Sequence, residues 1–397
     1  MDQVFHAPLV LTMDPSVGEG PLGAIRDGAV GVRDGRVCFV GERSQEPEGT
    51  ACEGVLMPAL VDAHTHAVWA GSRADEFLRR LEGVPYVEIL EAGGGILSTV
   101  RATRGADEAT LAAWCADRLR RLAARGVGTV EVKSGYGLSP EHEAKLLRAA
   151  RTGGELAGVR VLTTFLGAHA VPAEWRGDRE GYVDQVVSEQ LPLCAPLADF
   201  VDVYVDRGAF TVEEGRRILA AGRDAGLGVR VHAEQVAYTG AAEMAAKLGA
   251  LSADHLERID EAGVAAMAEA GTIAGMLPGA MLYLHDPSPP VAMMREAGVR
   301  FFVATDLNPG SSPVADLFTC ASLAAVTMGL TVDEVLLGIT AVAADALGRS
   351  DLGRIREGGP AELIEVALPP GEPASAAALV QFLGAGFGRV RRLGRSA

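Results

Sequence analysis

No stretch of this sequence is apolar for long enough to cross a bilayer. Its first residues, MDQVFHAPLVLTMD, lack a basic segment followed by a clean apolar one. Neither a membrane span nor a signal peptide is therefore expected. Cysteine is scarce and scattered. Cys38, Cys52, Cys115, Cys194 and Cys320 are odd in number and form no CxxC pair. That excludes a disulfide framework and a cysteine-built zinc site, and a reducing, cytoplasmic setting is expected. Positive charge also falls short: 36 Lys+Arg against 52 Asp+Glu leave a net charge of −16. Such a chain repels phosphate backbones and anionic membranes, so neither nucleic acid nor membrane is expected as a partner. A small anionic substrate would need an arginine of its own in the pocket. Aromatics make up only 5 % of the residues, whereas 48 % are hydrophobic and 49 are glycine. This points to many turns around a substantial core of small side chains, not to disorder. Gly93-Gly94-Gly95 lacks any GxGxxG or GxxxxGK context, so it reads as a loop over a pocket rather than a nucleotide site.

What is present falls into two textures. Residues 1 to 57 read as short strands. Asp34-Gly35 between apolar runs is a strong hairpin signal. The tail repeats this texture: residues 350–397 carry Gly358-Gly359-Pro360 and then the strand-like AELIEV. The economical reading is one small β-sandwich domain made from both termini, with residues 58–349 inserted between them. In that insert, short apolar runs alternate with amphipathic stretches. Strands are expected at 60–63, 128–132, 159–165, 201–205, 228–231, near 252, at 272–277 and at 299–304. Helices are expected at 107–125, 141–150, 211–225, 239–248, 260–270 and 289–297. Ser139-Pro140 would cap the second of these. Alternation with short links means α/β with a parallel sheet, as either a (β/α)₈ TIM barrel or an open doubly wound sheet.

The position of the polar residues favours the barrel. His64-Thr65-His66 follows Val61-Asp62, and two residues apart in extended backbone both imidazoles face one side, as two ligands of one ion must. His169, His232, His255 and Asp306 likewise follow strands. Five strands ending in His or Asp is what a barrel produces, because catalytic groups collect at its C-terminal rim. His6, His142 and His285 do not share that placement, and His142 reads as part of a solvated helical turn. Imidazoles with one carboxylate suit Zn²⁺ or Fe²⁺ better than Mg²⁺.

Several segments carry a family likeness: HTH after an apolar strand with Pro58 six residues before it, VWAGSRADEF (68–77), SGYGL (134–138), TFLGAHAVP (164–172), HAEQ (232–235), SADHLE (252–257), LPGA (277–280) and ATDLNPGSSP (304–313). Together, and in this order, they resemble the imidazolonepropionase family of the metal-dependent amidohydrolase superfamily over about residues 58 to 355. The resemblance implies hydrolysis of the cyclic amide of 4-imidazolone-5-propanoate to N-formimidoyl-L-glutamate in histidine degradation. It implies one divalent metal, Zn²⁺ or Fe, on His64, His66, His232 and Asp306. It places substrate contacts on Arg73, Tyr136, His169, Gln235, Asn308, Gly310 and Ser311, and a further pocket histidine at His255. It also implies a homodimer. Lys133 receives no ligand role. The sequence departs from relatives at Val205 and Asp206, where cysteine and glutamate are expected, and at Gln235, where some relatives carry an acid.

Ring-amide hydrolysis needs an activated water, a polarised carbonyl and a proton for the leaving nitrogen. Asp306 is the candidate proton carrier. His255 and His169 are candidates for steadying charge on the carbonyl oxygen or moving a proton, and the sequence does not rank them. Arg73 is the candidate clamp for the propionate carboxylate. The loop Asn308-Pro309-Gly310-Ser311 either approaches a ligand or leads into a helix capped at Ser312-Pro313. Two rivals stand beside this reading: a ring deaminase or other cyclic-amide hydrolase, and a metal-stabilised protein without catalysis.

Overall fold

The computed structural model describes residues 1–46, 48–84, 88 and 94–393. Gly93, part of the expected pocket loop, lies outside them. Strands from both ends of the chain form the small β-sandwich domain. These are β1 (Gln3–Leu11), β2 (Ala24–Arg33), β3 (Arg36–Glu42), β4 (Thr50–Ala51), β5 (Val55–Pro58) and, across the bulk of the sequence, β14 (Leu363–Ala367) and β15 (Arg389–Leu393). The β2–β3 hairpin turns at Asp34-Gly35. Both residues have positive φ (49° and 70°), which the two-residue turn requires. β14 joins β5 antiparallel, with Leu363 opposite Pro58, so the returning chain stitches the domain together.

The chain leaves this sheet at Pro58 and enters the barrel two residues later. β6 (Leu60–Asp62), β7 (Val127–Lys133), β8 (Arg160–Ala168), β9 (Phe200–Val205), β10 (Gly228–Ala233), β11 (Ser252–His255), β12 (Ile273–Met276) and β13 (Phe301–Val303) pair in chain order, all parallel. Helices between them cover the outside, among them Glu108–Ala124, Pro140–Ala157, Val212–Asp224 and Glu261–Ala270. Their ends are chemically marked. Asp107, Asp260 and Thr211 each accept a backbone N–H at the start of a helix. Ser139 does not: its hydroxyl bonds to His142 Nδ1 at 2.7 Å, so Pro140 alone marks that start.

The seam between first and last strands closes just past their ends. Thr65 bridges Leu307, Asp306 N–H donates to the His64 carbonyl at 3.0 Å, and His66 N–H donates to the Leu307 carbonyl at 3.0 Å. Thr305 adds two bonds to the buried Asp62 carboxylate. The link that shuts the barrel is therefore the same link that sets Asp306 beside His64 and His66.

The barrel interior is not purely apolar. Side chains alternate along a strand, so Glu131 and Lys133, Phe200 and Asp202, and Arg230 and His232 are paired by face. The Arg230 guanidinium lies 5.8 Å and 5.6 Å from the Phe200 and Phe302 ring centres. Aromatic rings and one buried cation thus fill a layer that branched aliphatics usually occupy. Above it, toward the C-terminal ends, the lining is charged.

Two larger helical blocks were not foreseen from the sequence, residues 179–197 between β8 and β9 and 317–346 after β13, nor were the helices Ala74–Leu81, Ile96–Gly105 and Pro278–Leu284. The second begins at Leu317 with Asp316 as its cap. Ser312-Pro313 therefore does not start a helix; the Ser312 hydroxyl instead donates to the Thr305 carbonyl at 2.6 Å. No helix among the described residues is long and apolar enough to cross a membrane.

Candidate metal centre

Four side chains from three strand ends converge at the rim. Asp306 Oδ1 lies 3.5 Å from His64 Nε2 and 3.5 Å from His66 Nε2, and His66 Nε2 lies 3.4 Å from His232 Nε2. Ligands at about 2.1 Å from an ion, arranged as a tetrahedron, are about 3.4 Å apart. The spacing fits a cation of that size. His64 Nε2 is fully buried and has no hydrogen-bond partner among the described residues, which an apolar packing role would not require. Burial holds the His64 and His66 imidazoles well below their ordinary pKa, with neighbouring cationic groups adding to it. Neutral imidazoles present lone pairs, as metal ligation demands. Burial pushes the Asp306 carboxyl the other way, up to about 7. The donor set therefore fits a divalent metal.

Behind these atoms sits a second layer that the sequence reading passed over. His64 Nδ1 bonds to Asp254 Oδ2 at 2.6 Å, and His232 Nδ1 bonds to Asp202 Oδ1 at 3.1 Å. A carboxylate on Nδ1 fixes the proton there and leaves Nε2 as the lone-pair donor. Arg230 Nη2 donates to Asp254 at 3.1 Å, and Lys133 Nζ lies 2.9 Å from both Asp202 and Glu131. All of these side chains are fully buried. The signal was present in the sequence: VEVK and VRVH place ionisable residues at alternate positions of an otherwise apolar strand, and VDVYV and SADH each set an aspartate within a strand.

The remaining predicted residues divide into groups. His169 stacks on His66 with ring centres 5.1 Å apart, and Tyr136 lies 5.5 Å from His169. Burial drives His169 down to about 3, and its Nδ1 sits 3.0 Å from the Gly135 carbonyl. The ring is neutral, Nδ1 carries the proton, and Nε2 is left as an acceptor. His255 behaves oppositely. Burial works against its charge, but Glu257, Asp306 and Asp254 outweigh that and lift it to about 9. It stands 5.4 Å from the His232 ring, with its Nδ1 3.8 Å from Glu257 Oε1. His255 and Leu256 have φ of 82° and 70°, and Asp306 has 49°. Positive φ at non-glycine residues is backbone strain gathered at the strand ends.

Gln235 is reached through Tyr204, whose hydroxyl donates to Gln235 Oε1 at 3.1 Å. Asp206 accepts from Val236 N and Ala237 N, so it anchors the loop that carries Gln235, while Val205 is core. Arg73, Asn308, Gly310 and Ser311 form one cluster beyond Asp306. Arg73 Nε donates to Glu76 Oε2 at 2.8 Å, and its Nη2 bonds the other oxygen. A Cβ on Gly310 would come within 2.5 Å of Arg73 Nη1, so the guanidinium rests directly on that backbone. Asn308 turns inward. It donates to the Asp306 carbonyl and accepts from Gly310 N and Ser311 N, shaping the loop.

The chain matches the amidohydrolase family over residues 55–387. It is 47 % identical over 369 residues to the imidazolonepropionase of Shewanella piezotolerans, covering 90 % of each chain. It is 48 % identical over 361 residues to that of Shewanella halifaxensis, covering 88 % of each. Among solved structures it is similar to a zinc-bound adenosine deaminase from Xanthomonas campestris. There the TM-score is 0.69 at 19 % identity, covering 96 % of this chain and 88 % of that one. An atrazine chlorohydrolase from Arthrobacter aurescens, complexed with zinc, gives 0.68 at 16 % identity, covering 95 % and 91 %. At such identities these two structures speak to the fold.

Proposed function

The chain belongs to the amidohydrolase family and, within it, to the imidazolonepropionases, and on that premise we propose that it hydrolyses the ring amide of 4-imidazolone-5-propanoate to N-formimidoyl-L-glutamate. His64, His66, His232 and Asp306 hold one divalent ion, zinc or iron. The observation that carries this reading is the close approach of their donor atoms, with Asp306 Oδ1 3.5 Å from both His64 Nε2 and His66 Nε2, and His66 Nε2 3.4 Å from His232 Nε2. When bound, the ion supplies Lewis acidity and a water acidified toward neutral pH.

The chain's own groups divide the rest of the work. Asp306 keeps Oδ1 toward the imidazoles, leaving Oδ2 to take the proton released as water attacks the ring carbonyl. The new C–O bond forms as the C–N bond breaks, and the same proton goes to the departing ring nitrogen. His255, the imidazole that holds its proton, donates to the carbonyl oxygen as charge grows there. His169 has its lone pair on Nε2 and accepts from a ring N–H. The two histidines that the sequence left unranked thus take opposite roles, because only His255 has an acid beside it. Arg73 receives the propionate carboxylate over Gly310, with Ser311 beside it. Tyr136 and Gln235 border the ring, and Asn308 holds the loop. The same premise extends to a homodimer.

The test is ring opening followed by loss of the imidazolone ultraviolet band, with the product identified by mass. Chelation should abolish it, and Zn²⁺ or Fe²⁺ should restore it. Ammonia release from an intact ring would make the chain a deaminase instead. No turnover in fully metal-loaded protein would leave only a structural metal site.

A further inference from the structure

Lys133 has no place in the reaction above, yet it is one of the most completely buried side chains in the protein. Its ammonium donates to Glu131 Oε1 at 2.9 Å and lies 2.9 Å from Asp202 Oδ2. Glu131 is itself tied down: Thr65 N–H donates to Oε2 at 3.2 Å, and the Thr164 hydroxyl bonds Oε1. Asp202 bonds the ring of His232 and also accepts the His232 backbone N–H at 3.2 Å. A continuous line of contacts therefore runs from β7 through Lys133 to Asp202 on β9, and on to His232 on β10.

We propose that Lys133 is a positioning residue for the metal: it holds Asp202 in the orientation that turns His232 Nε2 toward the ion. Without the ammonium, the Asp202 carboxylate would lie in a dry interior held only by the imidazole and backbone N–H of His232, with its Oδ2 side released, and both side chains would gain rotational freedom. The arrangement also closes Lys133 to ligation. The inference rests on His232 being a ligand, as proposed above.

The experiment measures zinc affinity of the full chain, stripped and then titrated against a chromophoric chelator of known Kd. Lys133→Met and Asp202→Asn are each expected to raise the zinc Kd about 10- to 100-fold, the usual cost of losing a group that orients a ligand. In the double variant the two effects should not multiply, and its Kd should stay within about threefold of Asp202→Asn alone, because both act through one bond. The visible spectrum of the Co²⁺-substituted protein should shift alike in all three. If Lys133→Met does not fold, Glu131→Gln combined with Lys133→Met leaves the net charge unchanged and is held to the same thresholds. A Kd within about twofold of the parent, or full multiplication in the double variant, overturns the proposal. His232→Ala is run alongside. If it too keeps the parent affinity, the ligand assignment has failed; if it alone loses zinc, the Lys133 inference has.

Discussion

Gly310→Ala separates the proposed carboxylate clamp at Arg73 from the metal site and from the fold. A Cβ at this position would lie 2.5 Å from Arg73 Nη1, 2.8 Å from Cζ and 3.2 Å from Nη2. Ordinary contact begins near 3.4 Å, so the guanidinium must retreat by about 0.9 Å at Nη1. It cannot do so freely, because Nε and Nη2 are both held by Glu76, and Glu76 also accepts from Gly95 N at 2.9 Å. Gly310 does not have positive φ, so alanine carries no backbone penalty. What yields is the end of one side chain, and stability should change little. Binding should not escape. A charge-assisted hydrogen bond to a carboxylate contributes about 1.5–3 kcal/mol, and losing it weakens binding about 10- to 100-fold. The expected result is that rise in KM with kcat near the parent value, since the propionate is remote from the breaking bond. Initial rates from the imidazolone absorbance, with Tm and metal content recorded on the same preparations, provide the check. An unchanged KM would mean that Arg73 does not hold the carboxylate. A KM rise accompanied by comparable metal loss would place the damage at the centre instead.

Three further outcomes follow from the same geometry. Asp306→Asn should retain the fold and lose turnover, and near-normal rates at saturating metal would refute both its ligand and its proton-carrying role. His255→Asn should lower kcat by about 10²–10⁴ with KM largely kept, the range for a lost proton-holding group; a pure KM effect would make His255 a binding residue only. Cys52, Cys115, Cys194 and Cys320 are buried free thiols, and burial raises Cys52 to about 11 and Cys115 to about 12, while Cys38 is half-buried. Alkylation of the native protein at neutral pH should therefore label Cys38 first, as mass mapping would show, and rapid labelling of Cys115 would contradict the packing.

Local pattern was legible wherever one short segment sufficed. The Asp34-Gly35 turn needs only its two residues, and the HTH spacing needs only extended backbone. Strand ends bearing His and Asp could be read one at a time. Helix limits were less accessible. The stretch expected to end at Ala150 runs on to Ala157 through Gly153-Gly154. The two glycines do not stop it because a larger residue would not fit. A Cβ on Gly153 would meet Cys115 at 2.9 Å, and one on Gly154 would meet Val161 at 2.6 Å. Glycine here serves close packing of helix on helix and helix on strand, and that depends on partners distant in the chain.

The same division runs through the site. Sequence alone determined which residue types stand at the rim, since imidazole and carboxylate at strand ends are a local property of each βα unit. Only closure of the barrel decided how they work. It brings Asp306 against His64 across the seam, gives His169 the Gly135 carbonyl, and rests Arg73 on Gly310, whereas the acid nearest His255, Glu257, is two residues on in the same segment. It also buries Lys133 and Arg230 beneath the imidazoles. The physical reason is that proton affinity and ligand geometry depend on what surrounds a group within a few ångströms, and here those neighbours come from strands as many as 243 residues apart.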